Sequence, residues 1–133
     1  MSRPSQRSGF YEREGHGAGT FLTRYEIEKH GGGTFLSDVL RSAPGVRLVR
    51  ADRSGRRFEL RLRNARCPPA LYLDGAIVRL GGPPRPGEML LDDLVSAIDI
   101  DGIEIYHGAS ETPPAFNREA NCGVVALWTR RRR

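Results

Sequence analysis

The longest uninterrupted apolar run in the chain, Cys122 to Trp128, is only seven residues long. That is well short of the roughly 18 residues a helix needs to cross a bilayer. Its Val124-Val125-Ala126-Leu127 centre has the composition of a strand buried on both faces. Such a strand belongs in the middle of a sheet, and other segments must supply its neighbours. At 133 residues there is room for one domain and one core.

The neighbours can be read in the pattern. Phe58 to Arg63 alternates apolar and charged residues, Val46 to Val49 alternates apolar and basic ones, and Asp52 to Gly55 is the turn between them. Ala70 to Leu73 is a further strand, and Asp74-Gly75 is a strong tight-hairpin signal leading to Ile77-Val78. Gly102 to Tyr106 reads as another strand. Helices are marked by different signals. Thr23-Arg24-Tyr25-Glu26 is a capping box with Leu22 placed to staple onto Ile27, and this helix runs to His30. Phe35, Leu36, Val39 and Leu40 recur at helical spacing until Pro44-Gly45 stops them. Leu90, Leu91, Leu94, Val95 and Ile98 form the apolar stripe of a third helix over Met89–Ile98. Ala109 to Ala120 is a proline-broken loop or short helix. These elements predict an α+β fold with a mixed β-sheet and short covering helices. Residues 1–20 read as a flexible tail on which Phe10-Tyr11 is the one apolar spot, 21–130 as the domain, and 131–133 as a basic C-terminal end.

Composition narrows the function classes. The apolar share is 38%, and the 16 Gly and 9 Pro imply many turns. The net charge is +5, carried by twenty Arg and a single Lys, Lys29, a skew that reads as codon composition rather than ligand choice. Basic Arg47–Arg66 and the basic tail are separated by the acidic Glu88–Glu104 segment, which makes a poor phosphate track and argues against nucleic acid. The triple glycine Gly31-Gly32-Gly33 lacks the Gly-Lys-Ser/Thr of a phosphate loop and reads as a hinge. His16, His30 and His107 are too scattered for a histidine site. Asp92, Asp93, Asp99, Asp101 and Glu104 read as a solvated acidic face, because Asp99-Ile100-Asp101-Gly102 lacks the later ligands of a calcium loop. Glu104 and Glu111 have no evident cleft for acid–base work, and Ser37, Ser96 and Ser110 lack a nucleophile elbow. Trp128 reads as core. The expectation is a non-enzyme with no catalytic residue, no metal and no cofactor. Cys67 and Cys122 are compatible with one disulfide or with two separate buried thiols.

Four segments in order resemble the plug domain of TonB-dependent outer-membrane receptors. Leu36 to Val46 looks like the family's opening helix ending in proline-glycine-valine, here Pro44-Gly45-Val46. Leu71-Tyr72-Leu73-Asp74-Gly75-Ala76 matches its strand-Asp-Gly hairpin, and Ile98 to Gly108 looks like its IERIEV segment, with Glu104 and Gly108 in place. Asn121 to Arg130 resembles the closing GGVI strand, with Gly123 matching. Leu62-Arg63-Asn64 keeps the arginine of the family's Ile-Arg-Gly strand end and lacks the glycine, and Ala109 stands where a proline is common.

The resemblance implies a non-catalytic binding or gating module of outer-membrane uptake, at the periplasmic face of a bacterial outer membrane. The implied partner is an outer-membrane β-barrel or a periplasmic protein. Met1 to Thr20 shows no TonB box, so coupling to TonB is not expected, and no signal peptide is read in this chain. The chain stops where a receptor would begin its barrel, so the expectation is a plug that transports nothing by itself. Contact loops would be Gly81–Gly87, with Gly81, Gly82 and Arg85, and Ser110–Arg118, with Glu111, Phe116 and Arg118. On this reading Cys67 and Cys122 lie at the ends of core strands, and their disulfide would close a loop of about 55 residues worth about 4 kcal/mol in the chain-entropy view. The competing class is a small basic nucleic-acid-binding or general protein-interaction module using Arg47–Arg66 and the arginine tail.

Overall fold

The computed structural model describes residues 9–29, 35–50, 58–63, 65–79, 99–119 and 121–130. The triple-glycine hinge, the Asp52–Gly55 turn, the Met89–Ile98 helix and the Gly81–Gly87 loop fall outside them. The described elements are α1 (Phe10–Gly15), β1 (Thr20–Thr23), α2 (Arg24–Lys29), α3 (Leu36–Arg41), β2 (Val46–Arg50), β3 (Phe58–Leu62), β4 (Ala70–Leu73), β5 (Ala76–Arg79), β6 (Ile100–Tyr106), two 3-10 turns (Ala109–Glu111 and Pro114–Glu119) and β7 (Val124–Thr129). None of these helices is long and apolar enough to cross a membrane. The expected α+β class with a mixed sheet and short helices is what the structure has.

Five strands form one sheet in the order β1-β6-β7-β4-β5, while β2 and β3 pair as a separate antiparallel hairpin. The apolar run of β7 takes the central position its composition predicts. It pairs antiparallel with β6 and parallel with β4, and Val124–Trp128 are all buried. β1 is the strand that sequence pattern does not announce. Its four residues Thr20–Thr23 read locally as an approach to a helix, and they become a strand by pairing with Gly102–Ile105 of β6. The capping box that follows is formed as predicted: the Thr23 amide donates to Glu26 Oε1 at 3.4 Å and the Glu26 amide to Thr23 Oγ1 at 3.5 Å. Leu22 and Ile27 share one core.

The sheet is buried on both sides, and the two sides differ. One face carries Leu71, Ile103, Ile105, Val125 and Leu127, closed over by Ile27, Leu36, Val39 and Leu40 of the helices and by Leu60 and Leu62 of the hairpin. This aliphatic layer holds most of the fully buried side chains, each worth about 1.5–3 kcal/mol. The other face is aromatic: Tyr72, Tyr106 and Trp128 from the strands meet Phe10 from α1 and Phe116 from the second 3-10 turn.

Within the segment 1–20 expected to be a flexible tail, the described residues 9–20 belong to this second layer and to β1. Residues 9–20 are described, and within them Phe10 is only 1% exposed. Phe10 sits over Gly102, where a Cβ would come within 3.1 Å of its ring. The surface that orders α1 comes from strands about ninety residues later, so local composition gives no sign of it.

Two turn geometries explain residues singled out in the sequence. Asp74 (φ 51°) and Gly75 (φ 91°) both take the left-handed conformation that a two-residue hairpin requires. The Asp74 carboxylate accepts from the Thr129 amide at 2.8 Å and its hydroxyl at 2.6 Å, which ties the hairpin to the end of β7. At the opposite end of the sheet, Cys67 and Cys122 form a disulfide with their Cα atoms 5.7 Å apart, just upstream of the parallel pair β4–β7. Gly123 (φ 93°) follows, and a Cβ there would lie 2.5 Å from Leu62 Cδ1 and 2.7 Å from the Tyr106 carbonyl oxygen.

Gly123→Ala should therefore cost roughly 2–5 kcal/mol, combining backbone strain with overpacking. Gly108→Ala, on extended backbone with open space at the Cβ position, should change stability by less than about 0.5 kcal/mol. Urea unfolding of both variants with the disulfide intact checks this contrast.

Candidate functional site

Glu104 lies in the middle of β6 on the aromatic face, beside Ala126 of β7 in the register. Along its own strand it is flanked on that face by Gly102 and Tyr106. Gly102 and Ala126 are small, and four donors converge on the carboxylate beside them. Oε1 accepts from Arg13 Nε at 2.6 Å and from the Tyr106 hydroxyl at 2.5 Å; Oε2 accepts from Arg13 Nη2 at 2.6 Å and from Trp128 Nε1 at 2.6 Å. The Glu104 side chain is 0% exposed and that of Arg13 is 14% exposed. The Arg13 guanidinium carbon stands 4.9 Å from the centre of the Phe116 ring and 5.8 Å from that of Trp128, so a planar cation is held by charge, a two-point fork and ring faces together.

This geometry overturns the reading of Glu104 as part of a solvated acidic face. Each carboxylate oxygen accepts two hydrogen bonds, so the cluster takes up its acceptor capacity. Its neighbours respond accordingly. Burial, with the Glu104 hydrogen bond and charge, pushes the Tyr106 hydroxyl far above its ordinary range, so it stays protonated and donating. For Arg13 burial acts downward, but the hydrogen bond and charge of Glu104 outweigh it and the group is held more firmly protonated.

A second group of the singled-out residues meets at the β3 end. The Arg63 amide donates to the Gly45 carbonyl at 2.7 Å, and both residues have left-handed backbone, at φ 45° and 78°. A Cβ on Gly45 would lie 2.9 Å from His107 Cε1 and 3.0 Å from Arg63 Cγ. Among the described residues, neither ring nitrogen of His107 has a hydrogen-bond partner, although both are buried. Burial, then the nearby Arg63 charge, lowers the His107 pKa against the opposing pull of Glu111.

The remaining predicted site residues distribute as follows. Pro44 is exposed just ahead of Gly45. The Gly108 carbonyl accepts from Thr112 Oγ1 at 2.7 Å. Glu111 turns back and accepts from the His107 amide at 2.7 Å. Phe116, expected on a ligand-contact loop, is 2% exposed and its ring meets those of Tyr72, Tyr106 and Trp128. Gly81, Gly82, Arg85 and the Arg118 side chain lie outside the described residues. Sequence reasoning missed Arg13 altogether. The signal available was one arginine two residues after an aromatic pair, too common a pattern to single out. Among the described residues no three His, Cys, Asp or Glu side chains group so as to hold a metal ion.

Two outcomes follow from this geometry. Glu104→Gln replaces one doubly used acceptor by an amide donor and leaves Arg13 without its counter-charge, so it should cost about 3–5 kcal/mol in denaturant unfolding. For His107 the folded-state pKa is the lower one, so the unfolded chain binds more protons between that value and the ordinary histidine value of about 6.5. The contribution of neutral His107 is therefore present above about pH 6.5 and is lost as the pH falls toward the folded-state pKa. Melting curves from about pH 7.5 to 5.5 should show His107→Gln losing less stability than the wild type across that interval.

No family model and no curated protein matches the sequence. Solved structures do. The chain is similar to the siderophore receptor PirA from Acinetobacter baumannii, at 23% identity over 84% of this chain and 17% of that one, with a TM-score of 0.61. A variant of the ferric enterobactin receptor PfeA from Pseudomonas aeruginosa matches 97% of this chain with 19% of its own, at 18% identity and a TM-score of 0.65. A second PfeA variant matches at 25% identity over 88% of this chain and 18% of its own, with a TM-score of 0.61. The chain thus spans less than a fifth of the length of these receptors. Its fold is the plug-like α+β fold of the part of the TonB-dependent siderophore receptors that it matches.

Proposed function

We propose that the chain is a non-catalytic, plug-like binding and gating module of outer-membrane uptake, working at the periplasmic face of that membrane. The observation that carries this reading is the extent of the fold match. Receptors otherwise many times longer than their matched portion align with 84% to 97% of this chain. The Cys67–Cys122 disulfide supports it from chemistry, since such bonds persist in oxidising compartments such as the periplasm. The proteins matched are named as receptors for siderophores and ferric enterobactin. The partner on this reading is an outer-membrane β-barrel or a periplasmic protein.

The physical case for a stable plug body is that the sheet is covered on both faces and tied by the disulfide at one end and by Asp74 at the other. Phe116 is withdrawn from the proposed contact surface because its ring is internal. Gly81–Gly87 remains the proposed contact loop.

Fractionation of the source cells, with thiols alkylated before lysis, tests the reading. The chain is expected with the outer-membrane or periplasmic fraction, and its two cysteines should take up the alkylating agent only after reduction. Recovery from the cytosol with both thiols alkylated would overturn it.

A further inference from the structure

The site around Glu104 divides into two unequal halves. Glu104, Tyr106, Trp128 and Phe116 belong to the body of the domain, and Arg13 alone comes from α1. The body's half is complete without α1. Tyr106 and Trp128 each donate to the carboxylate, while the rings of Phe116 and Trp128, with centroids 6.4 Å apart and planes at 57°, border the place the cation occupies.

Arg13 fills that space as a ligand would. Its Nε and Nη2 meet the two carboxylate oxygens in a parallel fork, each at 2.6 Å. A guanidinium matches this geometry better than an ammonium does. It is planar, it is more weakly hydrated and so cheaper to strip of water, and it stacks on ring faces.

The element that brings Arg13 is small. α1 has six residues, and its N-cap Gly9 makes no side-chain capping bond. Glu12, Glu14 and Gly15 are exposed, as are His16, Gly17 and Ala18 of the segment leading to β1. Gly17 (φ 84°) and Gly19 (φ 86°) take left-handed backbone there, and a Cβ on Gly19 would lie 2.5 Å from Tyr106 Cε1. A helix this short does not persist alone in water, so α1 docks or leaves as a unit. When it leaves, the Glu104 carboxylate keeps the Tyr106 and Trp128 donors, and the place of its counter-cation is open.

We infer that the Glu104 box is a guanidinium-binding site, filled in cis by Arg13 and open to an arginine side chain of a partner polypeptide that competes with α1 for it. Partner binding and release of the N-terminal segment are then coupled, each favouring the other by the same factor. The inference rests on the geometry of the box and not on the outer-membrane reading.

The full chain carrying Arg13→Ala is titrated with methylguanidinium and, at matched ionic strength, with methylammonium. The readouts are the melting temperature and the emission of Trp128, the single tryptophan. Methylguanidinium should stabilise Arg13→Ala saturably and shift Trp128 emission with the same midpoint, or restore folding if the variant is unfolded in buffer. The wild type, whose site Arg13 fills, should respond only at higher concentration, Arg13→Ala with Glu104→Gln should not respond, and methylammonium should act more weakly. An equal response to both cations, or no response beyond that of the wild type, overturns the inference. On the wild type, an acetylated Gly-Arg-Gly amide should speed hydrogen exchange of the α1 amides by about threefold or more without changing β6 and β7. Exchange unchanged relative to the Gly-Lys-Gly control would make Arg13–Glu104 a structural ion pair only, and would equally overturn it.

Discussion

A carboxylate with no exposed surface has to be met on both oxygens, and the arrangement of one whole face of this domain follows from meeting Glu104. Two of its four donors come from the sheet, Tyr106 on β6 itself and Trp128 on β7, so the carboxylate orients two of the rings on that face. The other two come from Arg13, which brings α1 down over the sheet and seats Phe10 on Gly102. Pairs of this depth contribute less to net stability than their short distances suggest, because both charges lose their water. What they enforce is consistency: a register slip of one residue in β6 would turn Glu104 into the aliphatic layer, where no donor stands.

The two faces thus do different work. The aliphatic face is closed by α2, α3 and the β2–β3 hairpin, and it supplies the apolar burial that drives folding. The aromatic face is closed by a six-residue helix and a 3-10 turn, through ring contacts and one charged cluster.

The parallel pair β4–β7 is where chain connectivity is most demanding, since a long crossover separates its two strands. The disulfide holds the starts of both strands together, with the Ala70 amide bonded to the Gly123 carbonyl at 3.0 Å immediately beyond it. Asp74 holds the far end through Thr129. Clamped at both ends, the centre of the sheet gives the surrounding loops a fixed base.

Much of this was settled by the sequence alone, wherever the cause of a structure is local. The alternation in Phe58–Leu62, the Asp74-Gly75 turn, the Thr23–Glu26 capping box and the apolar run of β7 each specify an element through neighbours within a few residues, and each formed as read. Their order also carries the plug resemblance that the fold match supports. What only the tertiary structure decided depends on partners far away in the chain. Thr20–Thr23 is a strand because β6 offers it an edge, residues 9–15 are ordered because Phe10 and Arg13 find Gly102 and Glu104, and Glu104 is buried because three rings and one arginine surround it. A charge and an aromatic residue look the same in sequence whether they face water or a complementary site some ninety positions away, and only folding brings that site to them.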